Sequence, residues 1–115
     1  MSRKNRKRMA AQRRAHAPIF AALGDETRLL LITKLVDGRP RSISQLTEGS
    51  HLTRQAISKH LRVLECAEIV RGVRCGRENR FEFDPTPIQQ TMEYLDLVSE
   101  QWEHALFRLK KFVED

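Results

Sequence analysis

The segment Thr53–Cys66, TRQAISKHLRVLEC, carries the side chains whose types and spacing suit recognition of a polyanion. Wound as an α-helix, it places Ile57, Leu61 and Leu64 on one stripe and Arg54, Gln55, Ser58, Lys59 and Arg62 on the opposite side. None of those five residues is an acid. Arg and Lys neutralise phosphates, whereas Gln and Ser hydrogen-bond base edges in a DNA major groove. A helix that is merely solvated more often alternates charge, with Glu set to pair with Lys or Arg one turn on.

The elements around this helix must hold it outward. Ser42 reads as a helix cap, with Ile43 and Leu46 turned inward and Gly49 ending a short helix; after Ser50-His51-Leu52, Thr53 caps the polar helix. A short helix, a glycine-bearing turn and a longer helix with a cationic outer face make a helix-turn-helix, whose second helix enters the major groove. Upstream, Pro18 suits a first helical turn, and a short helix carrying Ile19, Phe20 and Leu23 stops at Gly24. Asp25 then caps a second helix running to about Val36, expected to bury Leu29, Ile32, Leu35 and Val36, with Asp37-Gly38 closing it and Arg39-Pro40-Arg41 as connector.

Downstream, Glu68–Arg74 and Arg80–Phe83 alternate apolar and charged residues around Cys75–Asn79, which predicts a β-hairpin with Phe81 and Phe83 on one face. Arg74, Arg77 and Arg80 lie around its tip. Directly after a recognition helix, such a hairpin is a wing gripping adjacent backbone or minor groove; the alternative is a charged edge that discourages aggregation. Asp84-Pro85-Thr86-Pro87 breaks the strand, and a long helix follows from about Pro87 to Val113. Its stripe of Ile88, Met92, Leu95, Trp102, Leu106, Leu109 and Val113, completed by Ser99, is widened by Leu97, Val98, Ala105, Phe107 and Phe112. So much apolar surface exceeds what a small domain covers, which predicts a partner helix from a second copy rather than a helix wrapped on its own domain.

At 115 residues the chain has room for one domain with a core. Its net charge of +6 is unevenly placed: residues 1–14 hold seven Lys or Arg and no acid, and the rest of the chain holds 14 basic against 15 acidic residues. Residues 1–16 therefore read as a flexible basic arm, either a solvated tail or an extra contact to phosphates or a minor groove, and 17–115 as the folded domain. Two cysteines make no disulfide framework, and the basic N-terminus is followed by no apolar run, so a reduced cytoplasmic protein without a membrane partner is expected. Cys66 is expected as a small core residue and Cys75 as partly exposed.

Four segments together resemble the ArsR/SmtB family of winged-helix bacterial transcription regulators, over residues 18 to about 113. They are Phe20–Arg28 (FAALGDETR), similar to that family's "LGDPTR" junction; Ile43–Leu46; Thr53–Glu65; and Gly76–Phe81 (GRENRF), similar to its "GRERRY" wing. The resemblance implies a mostly α fold with a β-hairpin wing, a winged helix-turn-helix dimerising through its first and last helices, and two recognition helices reading an inverted repeat of double-stranded DNA as a repressor. By position, Thr53, Arg54, Gln55, Ser58, Lys59 and Arg62 would make the recognition-helix contacts, and Arg77 and Arg80 those of the wing, with Arg74 beside them. The homodimer interface would include Phe20, Ile88, Met92, Leu95, Trp102, Leu106 and Leu109. One departure stands out: the family's Ala-Gly-Leu after the recognition helix, whose glycine takes a left-handed turn, is Ala67-Glu68-Ile69 here, so this helix is expected to end differently and to set the wing at a different angle.

No effector is implied by the residues. The first helix of the motif has neither Cys nor His, and the last helix offers Glu93, Asp96, Glu100 and Glu103 around the single His104, a poor zinc donor set, so neither metal nor cofactor is expected. His60 reads as a packing or backbone-bonding residue rather than a ligand. There is no glycine-rich phosphate loop or nucleophile elbow, and Ser58 and His60, two apart on a helix, share no face, so an enzyme is not expected. The reading is a sequence-specific dimeric regulator. Its rivals are a sequence-tolerant architectural DNA-binding protein, motivated by the basic arm, and a protein-interaction adaptor using the long helix.

Overall fold

A computed structural model describes residues 2–114; Met1 and Asp115, the outer ends of the two expected segments, lie outside the described residues. Helix α1 (Arg3–Leu23) leads into α2 (Glu26–Leu35), followed by strand β1 (Arg41–Ser42), α3 (Ile43–Thr47), α4 (Arg54–Cys66), strands β2 (Val70–Cys75) and β3 (Glu78–Phe83), and α5 (Thr86–Glu114). The strands form one antiparallel sheet in the order β1-β3-β2. This is the expected winged helix-turn-helix, with β1 added where a plain connector was expected.

The core is built by one stripe from each element: Ile19 and Ala22 of α1, Leu31, Ile32 and Leu35 of α2, Leu46 of α3, Ile57, Leu61 and Leu64 of α4, and Ile69 and Val70 at the start of the wing. Phe81, Phe83 and Ile88 close over it. The helix caps stand where local chemistry places them. Asp25 accepts from the Arg28 N–H at 3.0 Å, Thr53 from the Ala56 N–H at 3.1 Å, and Ser42 and Gln45 form a reciprocal capping box.

Three expectations are corrected. First, residues 3–16, expected as a flexible basic arm, form the opening turns of α1, capped by Ser2 and lying along α5. The run Met9–Ala15 is rich in good helix formers, and α5 gives its inner side a surface: His16 stacks on Tyr94 with ring centroids 4.9 Å apart and contacts Thr91 Oγ1 at 3.0 Å through Nδ1. Pro18 sits inside this helix, tolerated on its exposed side. Second, Leu29 and Val36 of the α2 region are about half exposed, and Leu31 takes the buried position instead. A ten-residue helix presents only a narrow stripe to the core, and here that stripe runs through Leu31, Ile32 and Leu35. Third, Cys66 is exposed rather than a core residue, because Leu61 and Leu64 already fill the inner face of α4; Cys75 is partly exposed, and both thiols are free.

Candidate nucleic-acid interface

Helix α4 is held by its apolar stripe, with Ile57, Leu61 and Leu64 at most 1% exposed. Its opposite side is free. Arg54, Gln55, Lys59 and Arg62 are exposed and Ser58 is half-buried. None of the three cations makes an ion pair among the described residues, so their charge is available to a polyanion. Thr53 belongs to both sides of the problem. Its Oγ1 accepts the Ala56 N–H as the cap, which leaves its hydroxyl hydrogen free to donate outward. The uncapped N–H groups of the first turn add the positive end of the helix dipole at the same place.

Helix α3 is fixed from beneath by Lys34, whose Nζ donates to the Leu46 carbonyl at 3.0 Å and to the Glu48 carbonyl at 3.4 Å. This cation at the C-terminus of α3 satisfies carbonyls the helix cannot pair itself. Gly49 then turns the chain at φ +76°, and Leu52 N–H donates to Ser50 Oγ at 3.0 Å before Thr53 starts α4. The angle between α3 and α4 is thus set by side-chain caps at both ends of the turn.

Sequence reasoning assigned no role to Arg28, which is the tie between three helices. Its Nε donates to the Ala22 carbonyl at 2.6 Å and its Nη2 to the Ala21 carbonyl at 3.2 Å, closing the C-terminus of α1. Its Nη1 lies 3.2 Å from Nδ1 of His60 on α4. Asp25 Oδ2 lies 3.7 Å from the same ring nitrogen. The signal was present in the sequence: a cation three residues after a helix-capping Asp and six after the last turn of the preceding helix. His60, expected to pack or to bond the backbone, instead meets the polar side chains of Arg28 and Asp25.

The wing is a two-residue hairpin, with Cys75 paired to Glu78 across Gly76-Arg77 and Gly76 at φ +64°. Its three arginines are not equivalent. Arg77 is exposed at the tip, and no bond or ion pair of its side chain is seen among the described residues. Arg74 pairs with Asn79 on the face that also carries Phe81 and Phe83, and its Nε donates to the Gly76 carbonyl at 3.2 Å. Arg80 lies on the other face, where Glu78 holds its guanidinium at 3.1 Å.

The different helix ending expected from the missing glycine is corrected: α4 leads into β2 through the left-handed turn all the same. Glu68 adopts φ +61°; its N–H donates to the Glu65 carbonyl at 2.9 Å, and the Ile69 N–H to the Leu64 carbonyl at 3.0 Å. This is a Schellman cap with glutamate in the glycine position, and the fully buried pair Leu64 and Ile69 supplies its hydrophobic contact.

The residues expected at a dimer interface fall on a separate surface. Phe20 is 38% exposed, and Met92, Leu95, Trp102, Leu106 and Leu109 are between 45% and 68% exposed along α5. Ile88 differs, packing against its own core. Among the described residues no three His, Cys, Asp or Glu side chains gather as a metal site, and no helix is long and apolar enough to cross a membrane.

The model of the bacterial regulatory proteins of the arsR family matches residues 25–71, from the α2 cap through the recognition helix into β2. The chain is 36% identical over 81 residues to the uncharacterized HTH-type transcriptional regulator YuzN of Bacillus subtilis, covering 65% of this chain and 88% of that protein. It is 32% identical over 87 residues to the HTH-type transcriptional regulator Rv2034 of Mycobacterium tuberculosis, covering 76% of this chain and 78% of that protein. The solved structure of an ArsR-like transcriptional regulator from Rhodococcus sp. RHA1 superposes with a TM-score of 0.82 at 33% identity, over 91% of this chain and 95% of that one. The shared turn, recognition helix and wing, together with these relatives, show that the chain belongs to the ArsR family of bacterial regulatory proteins and is a DNA-binding transcriptional regulator.

Proposed function

We propose that this regulator is a cytoplasmic homodimeric repressor that binds an inverted-repeat operator. The observation that carries the reading is the pairing of two surfaces on one chain: a polar face on α4 whose Arg54, Lys59 and Arg62 make no ion pair among the described residues, and an uncovered apolar stripe on α5. In the dimer, α1 and α5 pack on their counterparts through Phe20, Met92, Leu95, Trp102, Leu106 and Leu109. Two-fold symmetry then presents two α4 helices to successive major grooves, about 34 Å apart. Gln55 and Ser58 read base edges, Thr53, Arg54, Lys59 and Arg62 hold the flanking phosphates, and Arg74, Arg77 and Arg80 extend the grip through the wing. Repression follows from occupancy of the promoter.

Selection of bound duplexes from a random library, at near-physiological salt with reductant and chelator present, tests this directly. Recovery of an inverted repeat is the expected outcome. Binding without any recovered motif would favour the architectural reading, which one observation supports: the seven cations of residues 3–14 make no ion pair among the described residues, and Arg3, Lys4 and Arg6 sit at the positive end of the α1 dipole, a charge excess that a polyanion would relieve.

A further inference from the structure

A groove of about 530 Å³ runs between α1 and the outer flank of α4, within the size range of small-molecule sites, about 300–1,000 Å³. It exists because α1 presents only small side chains there. Ala21 and Ala22 face Val63 and Ala67 across a gap that larger residues would fill. Val63 is 41% exposed, an apolar residue left open on the helix that otherwise shows a polar outer side. Lys59 precedes Val63 by four residues and Arg62 by three, so it neighbours both on the surface of α4, and the two cations line the groove together with the apolar Val63. Arg28 walls one end, its guanidinium already engaged by the carbonyls of Ala21 and Ala22. Lys59 and Arg62 have no ion pair among the described residues. An apolar trough overhung by two uncommitted cations is complementary to one kind of molecule, an apolar body ending in an anion, and an arginine head matches a carboxylate through two parallel hydrogen bonds.

We propose that this groove binds a medium-chain organic carboxylate, its tail against Ala21, Ala22, Val63 and Ala67 and its head between Lys59 and Arg62. Such an occupant takes two cations from the face of α4 assigned above to phosphate, so that carboxylate and DNA weaken one another by the same factor. This regulatory half rests on the proposed function; the binding half does not.

Decanoate is the probe, titrated below its micellar range into the full chain carrying isotopic labels at the alanine methyls. The methyls of Ala21, Ala22 and Ala67 are expected to shift together to saturation. Acetate, which has the head without the tail, and decyltrimethylammonium, which has the tail with the opposite charge, are expected to leave them unmoved at the same concentration. Two variants check the location: Ala21→Phe fills the floor and Val63→Asp repels the head, each lowering decanoate affinity at least tenfold. Decanoate is also expected to weaken binding of a selected duplex at least tenfold in the parent and less than twofold in Ala21→Phe. Absence of saturation, equal response to the cationic detergent, shifts confined to Ala105 on α5, or alanine methyls shielded from a soluble paramagnetic probe by a second copy would each overturn the site. Saturation without any change in duplex binding would overturn the competition. A chain that binds decanoate but no inverted-repeat duplex would sink the proposed operator reading while leaving the groove's ligand in place.

Discussion

Glu68 shows how one residue departs from the pattern of its neighbours without changing their geometry. A side chain at φ +61° meets its own backbone, a cost of about 1–2 kcal/mol for an L-residue, yet both hydrogen bonds of the cap are made. The fully buried Ile69 and Leu64 hold the turn closed from the core side. Glu68→Gly should remove the strain and return part of the gain as unfolded-chain entropy, raising stability by about 1 kcal/mol. The check is a higher urea midpoint with an unchanged slope; a lower midpoint would mean the glutamate makes a contact worth more than the strain. Asp25 works in the opposite direction, gaining from its position. The Arg28 backbone N–H holds its carboxyl below the usual carboxylate range, with the positive charge of His60 and Arg28 adding to the effect. A depressed pKa stabilises the fold above the unfolded value, near pH 4, and that contribution is lost as pH falls through the folded value. Asp25→Asn keeps a capping oxygen but cannot titrate, so the acid limb of a stability–pH profile should flatten at this site. An unaltered acid limb would show that the α2 cap has no part in it.

Among the elements, those defined by local chemistry were legible in the sequence, and those defined by what lies alongside were not. Ser42, Asp25 and Thr53 each accept from a backbone N–H three residues on, a bond that depends on nothing distant, so the starts of α2, α3 and α4 could be read directly. The opening turns of α1 could not. A run of seven cations reads as an arm until α5 supplies Thr91 and Tyr94 as partners for His16. Strand β1 was equally hidden, being two residues that pair only because β3 passes beside them. The wing was visible as alternation, but alternation alone does not say which arginine an acid neutralises. Because Glu78 holds Arg80 while Arg77 stands free at the tip, the two should behave differently on DNA. Arg77→Ala should weaken binding to all duplexes alike and reduce the slope of log K against log salt by about 1. Arg80→Ala should change that slope less. A sequence-selective loss on removing Arg77 would contradict a phosphate contact.

The whole molecule is long for its mass, 66 Å by 29 Å by 22 Å, because α5 continues well past the core. From Met92 onward none of its described residues is buried, although Leu95, Trp102, Leu106, Phe107, Leu109, Phe112 and Val113 all lie there. Fully burying one such side chain is worth about 1.5–3 kcal/mol, so an isolated chain leaves a large stabilisation unrealised, which the second copy proposed above would recover. Trp102, 68% exposed and far along the helix, tests this without touching the core. Trp102→Glu should preserve the far-ultraviolet circular dichroism of the fold while placing two like charges near the symmetry axis. The sedimentation coefficient should fall to that of a single chain. Operator affinity should fall with it, because each half-site would then be bound independently and the effective concentration supplied by the linked second helix would be gone. Binding to a single half-site should change little, which separates loss of pairing from damage to α4. An unchanged sedimentation coefficient would show that the copies meet elsewhere, and the exposed stripe of α5 would then need a different partner.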